Sequence, residues 1–326
     1  MDAILPYVMF VAGLILLPVG AEVLVRGSVA LAERLGISPL VVGLTVVAFG
    51  TSAPELVVSL NAALSGVPAI AIGNVVGSNI ANILLILGCA ALLKPVHAEP
   101  RSFLRDAGIM VLVTLLAIGA MSSGAVPRWQ GIVMLVLLLA FILFSYWQGR
   151  RDTAAAEAHL HEVEELEGLK QRPLWMIAGA VLVGLAAVVW GADLLVDGAV
   201  VIALGFGIPE EVIGLSMIAI GTSLPELATV VAAARKGHTD IAVGNVLGSN
   251  IFNILAILGT TAVVVPVPVP AQVMAFDVWV MLASAVLVIP LMLTGRNLGR
   301  LEGGGLLLAY GAYITLLYVG VDKVIG

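Results

Sequence analysis

The chain has 326 residues, 61% of them hydrophobic and 11% charged, with a net charge of −6 and a mean hydropathy of +1.14. A soluble domain carries roughly a quarter charged residues, so this chain cannot clothe a water-facing surface, and lipid must be the solvent for most of it. The slight, dispersed charge argues against nucleic acid as a partner, and the single cysteine, Cys89, excludes an intramolecular disulfide and a thiolate metal cluster.

The first apolar run starts at Ile4, after the acidic Asp2 and with no basic segment before it. It reads as a retained helix, not a cleaved leader. Apolar runs bounded by charges, Pro or Gly predict ten spans, over 3–33, 39–66, 69–93, 103–122, 127–148, 174–206, 210–235, 240–265, 273–294 and 302–321. Between the fifth and sixth lies the one long polar stretch, 150–172, with Arg150, Arg151, Glu157, His159, His161, Glu162, Glu164, Glu165, Glu167, Lys170 and Arg172. It reads as a solvated helical linker; the sharper alternative is a regulatory or metal-binding loop using the histidines and glutamates. The chain thus divides into a first five-helix unit over 1–149, a linker over 150–173 and a second five-helix unit over 174–326.

Basic residues set the orientation. With the N-terminus outside, the inner loops collect Arg34, Lys94, Arg101, Arg105, the four basic residues of the linker, Arg235, Lys236, Arg296 and Arg300. The outer side keeps Arg128 and Lys323. Both termini are therefore expected outside and the loop 150–172 in the cytoplasm.

An internal repeat is plain. Gly20 to Gly88 aligns without a gap on Gly191 to Gly259, at a constant shift of 171 residues and with more than half the positions identical. The cores read GLTVVAFGTSAPEL and GLSMIAIGTSLPEL, followed by IAIGNVVGSNIANILLILG and IAVGNVLGSNIFNILAILG. A unit of five helices is odd-numbered, so the second copy enters the membrane upside down, as in many secondary transporters. The fold class expected is an all-α polytopic membrane protein of ten transmembrane helices, arranged as two inverted five-helix repeats.

Glu55 and Glu226 fall near the centres of their spans, where a charge costs about 2.5–3.5 kcal/mol on insertion scales. Neither has a basic residue in its own span at similar depth, so a proton or a bound cation must neutralise it. A pair of permanently protonated glutamates bracing the helices is the plainer alternative. Thr51 and Thr222 each precede a glutamate by four residues, which lets them share its helix face. Ser52 and Ser223 adjoin them. Pro54 and Pro225 interrupt the helices and are expected to free backbone carbonyls, including those of Ala48 and Ala219. Broken backbone in lipid is tolerated only where it lines a cavity or is covered by protein. Ser78 and Asn82 recur as Ser249 and Asn253 near midplane, while Gly73 and Gly77, like Gly244 and Gly248, read as close-packing glycines. Asn74, Asn79, Asn245 and Asn250 read as ties between broken helices. Carboxylates, amides, hydroxyls and carbonyls are hard oxygen donors, which indicates Ca²⁺ and Na⁺ over octahedral Mg²⁺. Such a cage cannot comfortably stay empty, which gives antiport a physical basis.

At GTSAPE/GTSLPE with GNVVGSN/GNVLGSN, the sequence resembles the cation/calcium antiporter superfamily, specifically the prokaryotic Na⁺/Ca²⁺ exchangers with their two α-repeats, over essentially the whole chain. The resemblance implies Ca²⁺ at Glu55 and Glu226 with Thr51 and Thr222 assisting. It implies Na⁺ sites at Ser52, Ser78, Ser223 and Ser249 with the carbonyls of Ala48 and Ala219, and Asn82 and Asn253 lining the central site. Some archaeal and K⁺-dependent members carry aspartate where this chain has Asn253, so K⁺-independent exchange is implied. The expected function is Na⁺/Ca²⁺ exchange by alternating access, electrogenic, with no enzyme activity, no cofactor and no obligatory protein partner. A prokaryotic inner membrane is the expected location. A Ca²⁺/H⁺ antiporter is the rival reading, and an intramembrane serine enzyme using Ser52 or Ser223 a remote one, since no His or Lys lies at membrane depth to act as base.

Overall fold

The computed structural model describes residues 4–66, 68–156, 172–205, 221–294 and 297–319. They form the helices α1 (Leu5–Leu35), α2 (Pro39–Thr51), α3 (Ala53–Leu64), α4 (Ile70–Leu93), α5 (Pro100–Met121) and α6 (Arg128–Ala156). After the linker come α7 (Leu174–Gly205), α8 (Leu224–Lys236), α9 (Thr239–Val264), α10 (Val273–Thr294) and α11 (Arg300–Val319). Among the described residues seven helices are long and apolar enough to cross a membrane, and α2 with α3, bent by 42° at their junction, makes up to eight. The expected span 210–235 is described from residue 221 onward, and most of the linker 150–173 lies outside the described residues.

The distribution of polarity is inverted relative to a soluble protein. Val8, Leu14, Leu112, Val136, Leu182 and Trp190 are exposed, while Glu55, Glu226, Asn82 and Asn253 are buried. In hydrocarbon the exposed surface must be apolar and every polar group must find its partner inside. The most apolar window of α9 is wholly buried and that of α4 is 78% buried, so these two helices form the centre of the bundle.

Glycines at heptad spacing set the longest helix contact. Gly13, Gly20 and Gly27 of α1 face α7, and Gly184, Gly191 and Gly198 of α7 face α1. A Cβ on Gly20 would stand 2.7 Å from the amide nitrogen of Val188, and one on Gly191 2.7 Å from that of Leu17. Without Cβ atoms the two backbones can pack directly on each other. Gly27 meets Val181, Gly20 meets Val188 and Gly198 meets Phe10, so numbering rises on one helix as it falls on the other and the pair runs antiparallel. Each glycine of α1 reappears 171 positions later on α7.

The two halves also clasp each other. Gly88 at the end of α4 packs on Gly303 of α11, and Gly259 of α9 packs on Gly131 of α6. Short antiparallel pairings, Ala125–Val126 with Val267–Pro268 and Val96 with Leu298, join loops of the two halves. The second GxxxG packs as expected: a Cβ on Gly244 would meet the Leu44 nitrogen at 3.0 Å, and one on Gly248 the Ala48 Cβ at 2.7 Å. Its first-half copy differs, for among the described residues nothing stands within 4 Å of a Cβ on Gly73 or Gly77.

Candidate ion-binding site

The chain bends where the sequence places Ser-x-Pro. At Ser52 the backbone leaves the helix of α2 (φ −84°, ψ 7°), and α3 restarts at Ala53 with Pro54 in its first turn. Ser223 has nearly the same conformation ahead of α8 (φ −91°, ψ 5°), with Pro225 in the first turn. Proline suits a helix start, because its missing N–H is one of the donors that would lack an intrahelical partner anyway. The consequence is chemical. Glu55 and Glu226 occupy the first turns of α3 and α8, where the helix dipole and free N–H groups favour negative charge.

The two carboxylates are tied across the halves. Ser52 Oγ donates to Glu226 Oε1 at 2.9 Å, and Ser223 Oγ donates to Glu55 Oε1 at 3.4 Å. Glu55 is 1% exposed and Glu226 2%. Each keeps a buried Oε2 with no hydrogen-bond partner among the described residues, and so does Asn253 Oδ1. Leaving a buried acceptor unsatisfied costs about 1–3 kcal/mol, more when it is charged. The same motifs also leave one buried donor without a partner among the described residues, Asn245 Nδ2, so acceptors outnumber donors three to one, a deficit that a cation relieves.

Around this pair the other expected residues fall as follows. Thr51 Oγ1 lies 3.4 Å from the Ala48 carbonyl and 3.3 Å from Asn245 Oδ1, which also receives Ser249 Oγ at 3.5 Å. Asn82 Nδ2 donates to Asn250 Oδ1 at 3.4 Å, and Asn253 Nδ2 donates to Asn79 Oδ1 at 3.0 Å. Asn79 Nδ2 also reaches the Asn250 carbonyl at 3.3 Å, and Asn74 Nδ2 binds the Glu55 carbonyl at 3.1 Å. The asparagines therefore tie α4 to α9, and α4 to the broken α3. Ser78, Thr222 and Ser223 line one cavity of about 460 Å³. Ala48 is buried, but its carbonyl accepts the Ser52 amide at 3.0 Å, because the helix breaks after that bond and not before it. A carbonyl has two lone pairs, and the Thr51 hydroxyl at 3.4 Å approaches the second one. Ala219 lies outside the described residues.

Two features escaped sequence reading. Asn82–Leu87 and Asn253–Leu258 are π-helical turns at equivalent places in the two copies, a widening that often marks functional sites and that has no signature in Asn-Ile-Leu. The same cavity also takes in Asp277, Tyr310 and Tyr313. Asp277 has a signal in the sequence, since the shift of 171 carries Asp106 onto it, beyond the stretch over which the repeat was aligned.

Among the described residues no three His, Cys, Asp or Glu side chains converge as they would for a transition metal. Two carboxylates among neutral oxygens remain. The model of the family described as "Sodium/calcium exchanger protein" matches residues 5–147 and 176–319. The chain belongs to this family. It is 40% identical over 309 residues to "Putative antiporter CaxA" of Alkalimonas amylolytica, covering 94% of this chain and 96% of that one. It is 33% identical to "Sodium/calcium exchanger MaX1" of Methanosarcina acetivorans, covering 96% and 98%. It is 37% identical to "Inner membrane protein YrbG" of Escherichia coli K12, covering 95% and 96%. The solved structure of the sodium-calcium exchanger NCX_Mj soaked with 10 mM Na⁺ superposes with a TM-score of 0.83 at 32% identity, covering 96% of this chain and 98% of that one. The exchanger-family chain is thus an integral membrane cation/Ca²⁺ antiporter, not an enzyme, and its ions are cargo, not cofactors.

Proposed function

We propose that the protein exchanges Na⁺ for Ca²⁺ by alternating access between two inverted five-helix repeats, ten spans in all. The observation that carries this reading is the reciprocal pair, Ser52 to Glu226 and Ser223 to Glu55, with an orphaned carboxylate oxygen on each side. One Ca²⁺ between Glu55 and Glu226 balances both charges. Several Na⁺ do the same while drawing on Thr51, Thr222, Ser52, Ser223, Ser78, Ser249 and the carbonyls of Ala48 and Ala219, with Asn82 and Asn253 completing the wall. Two unbalanced carboxylates in a dry site resist passage through the occluded state, so an ion must leave in exchange for another. The antiparallel α1–α7 pair, built from glycines 171 positions apart, supports inversion of the repeats. Exchange of more than two Na⁺ per Ca²⁺ makes the cycle electrogenic, and amides at positions 82 and 253 make it independent of K⁺.

The excess of basic residues in the expected inner loops supports outer termini and a cytoplasmic linker. The relative named as an inner membrane protein supports the same membrane for this chain. The testing experiment is Ca²⁺ uptake into proteoliposomes loaded with Na⁺, with pH clamped on both sides. Uptake that follows the Na⁺ gradient supports the reading; uptake that follows only a pH gradient would reassign the protein as a Ca²⁺/H⁺ antiporter.

A further inference from the structure

The cavity of about 460 Å³ runs from exposed positions at Ile70, Gly73 and Gln272 down to Ser78, Thr222 and Ser223. Asp277 lines it and is 6% exposed. Tyr313 donates its hydroxyl to Asp277 Oδ1 at 3.1 Å, the one hydrogen bond this carboxylate receives among the described residues. Its second oxygen is left for something else. The π-helical turn Val273–Asp277 ends on this residue, at the head of α10.

The counterpart in the first half is built differently. Asp106 sits in the regular helix α5, and Arg105 grips both its oxygens, Nε to Oδ1 at 2.8 Å and Nη2 to Oδ2 at 3.0 Å. A bidentate guanidinium of this kind neutralises the carboxylate and engages both its oxygens. Arg105 becomes Phe276 in the second copy, and the position of Tyr313 is Ile142 in the first. One aspartate is therefore closed off, and its partner faces a cavity that ends at Ser223, the hydroxyl bonded to Glu55.

We propose that Asp277, held by Tyr313, is a capture station for hydrated Ca²⁺ on the face where this cavity opens, and that it gives that face the higher apparent Ca²⁺ affinity. The inference rests on the reading of Glu55 and Glu226 as the cation site. Ca²⁺ takes six to eight oxygens, and a single carboxylate supplies two at most, so the station holds an ion still carrying most of its water and releases it readily. That balance suits conduction, which needs binding strong enough to admit an ion and weak enough to let it leave. A divalent ion feels the carboxylate field twice as strongly as Na⁺ does, so capture favours Ca²⁺.

The test measures initial Ca²⁺ flux against Ca²⁺ concentration in right-side-out and inside-out vesicles from the same expressing cells. Asp277→Asn should raise the apparent KM by about tenfold on one face only, within the range that local charge gives to association, with kcat within about twofold. Asp277→Glu should restore the low KM, and Asp106→Asn should leave KM on both faces unchanged. The effect should shrink toward nothing as choline chloride is raised to about 0.5 M, because salt screens it. A kcat loss with KM unchanged, an equal KM shift on both faces, or a KM shift indifferent to salt would overturn the proposal and leave the Asp277–Tyr313 bond as a brace between α10 and α11. If Asp277→Asn fails to reach the membrane, the unmodified protein decides alone: its KM must rise more steeply with salt on one face than on the other, and equal slopes refute the station. Either a Na⁺ or a proton gradient can drive these fluxes, so a wrong driving ion would show in the unmodified protein and is separable from failure at Asp277.

Discussion

Ser52 reaches across the centre of the molecule to Glu226, 174 positions away in sequence, and its hydroxyl donates to the carboxylate at 2.9 Å. The mirror-related bond, Ser223 to Glu55, is longer at 3.4 Å. The two halves of the repeat are therefore not merely adjacent; each supplies the hydroxyl for the other's acid.

Hydrogen bonds to charged groups contribute about 1.5–3 kcal/mol, which corresponds to roughly tenfold to a hundredfold in an equilibrium constant. Ser52→Ala and Ser223→Ala should each weaken Na⁺-driven Ca²⁺ exchange, with the larger change at Ser52, whose bond is shorter. Na⁺ and Ca²⁺ titrations of flux in reconstituted vesicles measure this, and equal, wild-type titrations for both variants would contradict it.

The repeat and the membrane-spanning helical fold were legible in the sequence, and the candidate site residues stood out because they occur twice. Glu55 and Glu226, Ser52 and Ser223, and Asn82 and Asn253 stand at one constant offset. What could not be read was how the copies interlock. Nothing in residue type says that Ser52 bonds the acid of the other half, or that the backbone widens into a π-helical turn at Asn82 and Asn253. The heptad glycines of α1 and α7 were present but sit outside the GxxxG spacing that draws the eye. The Ala48 carbonyl shows the limit of reasoning from proline alone: Pro54 removes an N–H, yet the break falls at Ser52, after the bond to Ala48 has formed.

Close packing of α1 on α7 predicts a stability effect remote from the ions. Gly20→Leu and Gly191→Leu would drive side chains into the backbone of the facing helix, where even a Cβ lies 2.7 Å from an amide nitrogen. Overpacking of this kind costs about 1–3 kcal/mol or more. The melting temperature in detergent should fall for both, and Gly179→Ala, which meets nothing within 4 Å among the described residues, should leave it unchanged.

Asn253 should govern K⁺ behaviour. Transport in the unmodified protein is expected to be the same with K⁺ present or replaced by an inert cation. Asn253→Asp adds a third carboxylate where Oδ1 is already an orphaned acceptor, and K⁺ stimulation or a new acidic inflection in Ca²⁺ flux should follow. A strict K⁺ requirement before mutation would contradict the role given to this amide.

Electrogenic exchange makes a further prediction. Each net charge moved per cycle couples to the membrane potential by about 2.3 kcal/mol per 100 mV. Clamping vesicles at potentials of opposite sign with a K⁺ ionophore should speed Ca²⁺ uptake at one sign and slow it at the other. Uptake indifferent to potential would fit two Na⁺ per Ca²⁺.

The central claim is that Glu55 and Glu226 hold the transported ion between them. The most direct measurement is Na⁺-gradient-driven Ca²⁺ uptake by proteoliposomes of the unmodified protein, Glu55→Gln and Glu226→Gln, reconstituted at matched amounts after each variant elutes as a folded species. The account predicts uptake in the unmodified protein and none above background in either variant, because a single remaining carboxylate cannot balance a divalent ion. Ca²⁺ uptake at the unmodified rate by either variant would contradict it.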